Sequence, residues 1–107
     1  MIEVIEKNKL RMYKGDTGTI SFKLTGDSDI SKDTFVFLIK HSLKDEGTIF
    51  SQEFNQTEFT VEVDTALADL LDVGKYFWGL KLRRVEDEKV LVDTLIGSGE
   101  FNIVRGI

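Results

Sequence analysis

The chain has 107 residues, a length that fits a single domain over residues 1–107. Its 41% hydrophobic and 31% charged residues are typical of a folded globular protein and exclude a disordered segment. The absence of cysteine excludes disulfides and thiolate chemistry, and a net charge of -5 argues against a nucleic-acid partner. No apolar run approaches a membrane span, so we expect no membrane association and synthesis in a cytoplasm.

The first half of the chain shows period-two alternation of apolar and polar residues, which is typical of strands with one buried face. A strand that is apolar on both faces is expected at the centre of a sheet, covered on each side. The predicted elements are an extended segment holding Ile2, Val4, Leu10 and Met12 and broken near Lys7–Lys9, a turn at Lys14–Gly18, a strand at Ile20–Leu24, a loop at Gly26–Asp33, and a doubly apolar strand at Thr34–Ile39.

The second half repeats this pattern around one short helix. Two strands in it are separated by a two-residue link that we interpret as a tight hairpin. The predicted elements are strands at Gly47–Phe54 and Thr57–Val63 joined at Asn55–Gln56, a helix at Ala66–Leu71, a strand at Tyr76–Arg83, a turn at Val85–Glu88, a strand at Val90–Ile96, a bend at Gly97–Gly99, and a last strand at Phe101–Val104.

The helix has recognisable end signals. Asp64 or Thr65 can cap its free amides, and Gly74 lies where a C-terminal cap is expected. A helix of about two turns persists only when it is packed, so we expect its leucines to close one end of the core. These leucines are Leu67, Leu70 and Leu71.

Seven or eight short strands with closely spaced turns predict an all-β fold. The expected architecture is a two-sheet antiparallel sandwich of immunoglobulin-like form with one short helix.

His41 is the only histidine, so histidine-based catalysis depends on it. Its neighbour Ser42 points to the opposite face of a strand, and no glycine-flanked nucleophile turn is present. A small hydrolase that pairs His41 with a remote serine stays an open alternative, but we expect no enzyme and assign no catalytic residue.

The loop that holds Asp27, Asp29 and Asp33 has the spacing of a calcium loop. That pattern requires glycine at its sixth position and glutamate at its twelfth, where this chain has Lys32 and Leu38. We therefore expect a solvated acidic loop, with no metal site and no cofactor.

Aromatic residues are the candidates for an interface or ligand site. Alternation places Tyr76 and Trp78 on one face of their strand and Phe77 on the other. Either the first pair forms an exposed platform for a sugar or a partner chain, or Trp78 anchors the core and Phe77 lies at a subunit contact near Gly79. Free strand edges at Ile2–Ile5 and Phe101–Val104 could pair between chains, and the candidate residues are Tyr76, Phe77, Trp78, Phe101 and Ile103.

Four segments taken together resemble a known family. They are YKGDTGTISFKL (Tyr13–Leu24), TFVFLIKH (Thr34–His41), VGKYFWGLKL (Val73–Leu82) and DTLIGSGEFNIV (Asp93–Val104). This order, with the capped helix between the second and third segments, resembles the small β-sandwich modules of tailed-bacteriophage and prophage virion proteins, such as the N-terminal domains of baseplate and receptor-binding proteins.

The resemblance implies a tail or baseplate component that acts through protein–protein interaction and has no catalytic residues. Its expected partners are other virion or assembly proteins, or further copies of itself in a homo-oligomer, and its expected location is the virion. The alternative is a non-catalytic, carbohydrate-binding-like module that uses the aromatics around Tyr76–Trp78.

Overall fold

The computed structural model describes residues 2–24, 32–44 and 47–106. Strands dominate these residues, and one short helix interrupts them. In chain order the elements are β1 (Ile2–Glu6), β2 (Lys9–Tyr13), β3 (Gly18–Lys23), β4 (Asp33–Lys40), β5 (Phe50–Phe54), β6 (Glu58–Val63), α1 (Thr65–Leu70), β7 (Gly74–Glu86) and β8 (Lys89–Val104). The all-β class predicted from the alternation is confirmed.

Six strands form one sheet in the order β1-β2-β8-β7-β4-β5, and β3 pairs with β6 in a second, two-stranded sheet. The large sheet is curled like half of a barrel. Its strands are antiparallel except for β2, which runs parallel to the end of β8. The prediction of purely antiparallel pairing was therefore wrong at this one ladder, which joins segments far apart in the sequence.

The core lies between the two sheets. Buried side chains alternate along β4 and β6, as the period-two pattern predicts. Phe22 of β3 reaches across to Phe37 and Trp78 of the large sheet, with ring centroids 5.9 and 5.7 Å away. Phe59 of β6 stacks on Phe54 of β5, with centroids 4.3 Å apart. Aromatic contacts thus hold the small sheet against the concave side of the large one.

The predicted hairpin at Asn55–Gln56 was wrong. β5 pairs with β4 in the large sheet, whereas β6 pairs with β3 in the small sheet, so this link carries the chain from one sheet to the other. The favoured two-residue hairpin turn needs positive φ at both central residues. Neither Asn55 nor Gln56 has a positive φ, and the tight reversal is absent.

The Gly97–Gly99 segment is also not the break that we expected. β8 continues through it, and the register against β7 shifts on both sides of Leu80. Gly99 lies opposite Trp78, but Ile96 is already opposite Leu80, so β8 carries extra residues there. The glycines accommodate β-bulges within one long strand.

The helix begins where the sequence indicates. The side chain of Asp64 accepts a hydrogen bond from the amide of Leu67 at 2.9 Å, which confirms it as the N-cap. Leu71, not Gly74, ends the helix, and Gly74 starts β7. Leu67 and Leu71 are buried as expected, but Leu70 points outward, because a helix of less than two turns presents only one face to the core.

This difference between adjacent leucines provides a matched test of the core. Leu71 is 0% exposed and Leu70 is 62% exposed. We expect Leu71→Ala to lower the free energy of unfolding by about 2–5 kcal/mol, because it leaves a cavity, and Leu70→Ala to change it by less than about 0.5 kcal/mol. Urea unfolding followed by tryptophan fluorescence measures both values, and equal losses would contradict the packing described here.

Candidate protein-interaction surface

The five candidate residues from the sequence occupy two different environments. Tyr76, Trp78, Phe101 and Ile103 are buried in the core. Phe77 is half-buried on the opposite, outward face of β7. The free edge predicted at Phe101–Val104 was wrong, because this part of β8 lies between β2 and β7. A role in binding stays a prediction for all five residues, and only Phe77 has a surface position that would serve it directly.

The structure confirms the interpretation of Trp78 as a core anchor. Its indole is 4% exposed and lies 5.8 Å from the ring of Phe37. Nε1 of Trp78 donates a hydrogen bond to the backbone oxygen of Asn8 at 3.2 Å, so the polar atom of the buried ring has a partner. This bond ties β7 to the turn between β1 and β2.

Gly99 makes room for the indole. A Cβ atom at position 99 would lie 2.3 Å from Nε1 of Trp78, closer than two such atoms can approach. We therefore expect Gly99→Ala to displace the ring and to lower the free energy of unfolding by about 1–3 kcal/mol, measured by urea unfolding.

Gly97→Ala is the matched control in the same strand. The nearest atom to a Cβ at position 97 is the Thr94 methyl group at 3.3 Å, which belongs to an exposed side chain that can move. A loss for Gly97→Ala as large as that for Gly99→Ala would show that strand glycines matter for their backbone alone and not for the indole.

In the described part of the chain, the neighbours of His41 and Ser42 are aromatic and backbone groups. Its ring packs near that of Tyr76, with centroids 5.4 Å apart, and the hydroxyl of Tyr76 accepts a hydrogen bond from the amide of Asp72. The hydroxyl of Ser42 accepts a hydrogen bond from the amide of Lys44 in its own turn. These contacts position a loop and do not activate a hydroxyl group.

The acidic loop contributes one structural ion pair. Asp27 and Asp29 lie outside the described residues. Asp33 was expected in a solvated loop, but it is the first residue of β4 and is buried. Its two carboxylate oxygens accept hydrogen bonds from Arg84 of β7 at 2.6 and 2.9 Å, because pairing of β4 with β7 brings these residues opposite each other. Within residues 2–24, 32–44 and 47–106, no cluster of acidic residues and histidine is arranged to hold a metal ion.

The outward face of the large sheet carries an apolar strip. The doubly apolar β4 was expected to be covered on both sides, but its outward residues Val36 and Leu38 are only half-buried. A shallow depression of about 200 Å³ lies beside them, and Leu38, Phe77 and Gly79 are among its lining residues. The lack of a side chain at Gly79 opens this depression.

Charged residues lie at one end of this apolar strip. Glu100 of β8 lies opposite Phe77, and it contacts Lys75 at 3.3 Å and Lys9 at 3.5 Å. The hydrogen bond from Lys75 lowers the pKa of Glu100, and the charges of both lysines lower it further. The carboxylate is therefore ionised at neutral pH.

Five exposed large hydrophobic residues lie together in the outer part of the β7–β8 hairpin, residues 85–95, which we call the arm. Every residue of the arm is exposed. The exposed fractions of Val90, Leu91 and Val92 are 60, 52 and 55%, and Val85 and Leu95 are also exposed. The molecule is elongated, with principal extents of 52, 26 and 25 Å.

A tight turn closes the arm at Asp87 and Glu88. Both residues have positive φ, 51° and 64°, which is the two-residue turn that matches the twist of a hairpin. The turn predicted at Val85–Glu88 is thus confirmed. It is shorter than predicted, because both strands extend further toward its tip. Acidic side chains cover the tip, and apolar ones follow immediately on β8.

Sequence reasoning identified the strand at Val90–Ile96 but not its exposure. A run that is apolar on both faces usually predicts a buried strand, so these residues were not counted among the interface candidates. The mixed charges of Lys81, Arg83, Arg84, Lys89 and Glu86–Glu88 predict a solvated hairpin tip, and residues 85–89 are exposed. This prediction did not extend to Val90–Leu95. Arg83 and Arg84 themselves are half-buried, because they pair with Glu53 and Asp33.

Comparison with known proteins finds no match. No family model, curated protein or solved structure matches the chain. Across the described residues, no helix has the length and apolar character required to cross a bilayer.

Proposed function

We propose that the chain is a structural or assembly protein of a tailed phage or prophage, a tail or baseplate component that acts through protein–protein contacts and has no catalytic activity. The exposed arm is the observation that carries the proposal. Its valines and leucines are exposed on both faces of the hairpin, beside the edge of β8 that β2 leaves uncovered, and none of them belongs to the core cluster. Contiguous exposed apolar surface of this kind marks a binding site for another protein.

The resemblance of four sequence segments to phage virion modules supplies the biological setting of the proposal. The proposal also includes an immunoglobulin-like form of sandwich. The aromatic contacts between the two sheets support this form. Location in the virion follows from the same resemblance.

The carbohydrate-binding alternative has less support. It needs an exposed aromatic platform, and the rings of Tyr76 and Trp78 are buried. Phe77 alone offers part of a ring on the outward face. A single half-buried ring provides little stacking area for a sugar, so contact between proteins is the function that the geometry supports better.

Replacing the arm valines tests the proposal. We expect the double substitution Val90→Thr and Val92→Thr to abolish association with the tail or baseplate proteins encoded by flanking genes, because it removes apolar area while keeping strand-forming residues. Sedimentation velocity of purified mixtures at micromolar concentration measures the association.

Val73→Thr is the control, because Val73 is 48% exposed and lies outside the arm and outside the strand edges predicted to pair. It should leave association unchanged. A wild-type chain that associates with none of these proteins would overturn the proposed function, and association that survives the double substitution would remove the arm from it.

A further inference from the structure

One edge of the arm is open to a further strand. β8 pairs with β7 along its whole length, but β2 covers its other side only from Glu100 to Val104. In the described part of the chain, the segment Lys89–Leu95 therefore has a neighbour on one side alone. An uncovered edge with apolar side chains on both faces is a template for pairing with another strand.

The geometry of the hairpin determines which backbone groups face this open edge. In a two-residue hairpin the closing pair, here Glu86 and Lys89, exchanges backbone hydrogen bonds, and the pairs alternate from there. Leu91 and Asp93 therefore direct their backbone groups to β7. Val90 and Val92 direct theirs away from β7, to the open side.

A second copy of the same strand can satisfy these groups in an antiparallel register centred on Leu91. Val90 of one copy then lies opposite Val92 of the other, and the outward amides and carbonyls of both face each other. In that register Lys89 of each copy lies opposite Asp93 of the other, so two oppositely charged cross-strand pairs form. Both residues are exposed, and neither has an ion-pair partner among the residues that the structure describes.

The neighbouring registers that keep the backbone groups matched are less favourable. Centring on Val90 places Asp87 opposite Asp93, and centring on Asp93 places this carboxylate opposite itself. Centring on Val92 places Leu91 opposite Asp93, which gives no charge pair. Charge complementarity therefore selects the register centred on Leu91.

We infer that the arm pairs with the arm of a second copy of this chain through antiparallel β8–β8 contact, with Lys89 and Asp93 of opposite copies as the register-setting pairs. This inference rests on the proposed assembly function and identifies the partner in that assembly as a second copy of the chain. Pairing joins the β7–β8 hairpins of the two copies across a β8–β8 ladder, with Val85, Val90 and Val92 of both copies on one face. The competing explanation is that Lys89 and Asp93 are edge charges that prevent pairing.

Charge reversal distinguishes these explanations. Lys89→Glu places two carboxylates opposite each other at each pair, and Asp93→Lys places two ammonium groups there. We expect each single variant to raise the dimer dissociation constant at least about tenfold in sedimentation equilibrium at low salt. The double variant restores both pairs and should dimerise like the wild type.

A mixture of the two single variants provides the more discriminating test. One copy with Lys89→Glu and one with Asp93→Lys present opposite charges at both pairs, so the mixture should form a heterodimer more tightly than either variant forms a homodimer. Glu62→Lys, an exposed change on β6 with the same charge difference as Asp93→Lys, should leave dimerisation unchanged. Amide exchange of Val90 and Val92 should slow on dimerisation.

The outcomes are separable from those of the proposed function. A wild-type chain that stays monomeric up to about 1 mM overturns self-pairing. If it still binds a flanking-gene product through the arm, the assembly function stands and its partner is a different protein. A dimer that is insensitive to both reversals, or one that neither the double variant nor the mixture restores, overturns this register.

Discussion

The strand lengths in the large sheet set the constraint on which the rest of the structure depends. β7 and β8 span Gly74–Glu86 and Lys89–Val104, whereas β2 covers only the last residues of β8. Near Trp78 the two long strands lie between β4 and β2. Toward the turn β4 follows β7 as far as Arg84, but β2 no longer covers β8, so one hairpin is both a central element of the sheet and an exposed edge. The bulges around Leu80 lie at the transition between these two parts, where extra residues in β8 change its register against β7.

Local signals predicted most of the elements of this fold. Alternation located β4 and β6, and Asp64 marked the start of the helix. The errors concern how elements combine. Asn55–Gln56 has the length of a hairpin, but its backbone conformation carries the chain between sheets. The parallel partner of β2 is β8, which lies too far away in the sequence for any local pattern to indicate it.

The candidate site was harder to predict than the fold. Alternation establishes that Tyr76 and Trp78 share a face, but it does not determine whether that face meets the core or the solvent. The space left by Gly99 of β8 and the oxygen of Asn8 in the β1–β2 turn decide the question for Trp78, and both lie far from it in the sequence. The apolar side chains of Val90 and Val92 would normally indicate burial, but both residues are exposed. Their exposure becomes evident only in the folded structure, where β8 extends beyond the strand that covers its other edge.

The parallel pairing of β2 with β8 has a consequence for the order of folding. Residues distant in the sequence must meet before this ladder forms. The entropic cost of closing the long loop between them therefore arises late in folding and slows the last step. The β7–β8 hairpin needs only the turn at Asp87–Glu88 and forms within microseconds. We expect newly made chains to display a finished apolar ribbon while the sheet behind it is still open. Chain concentration during synthesis then governs the competition between sheet closure and premature association.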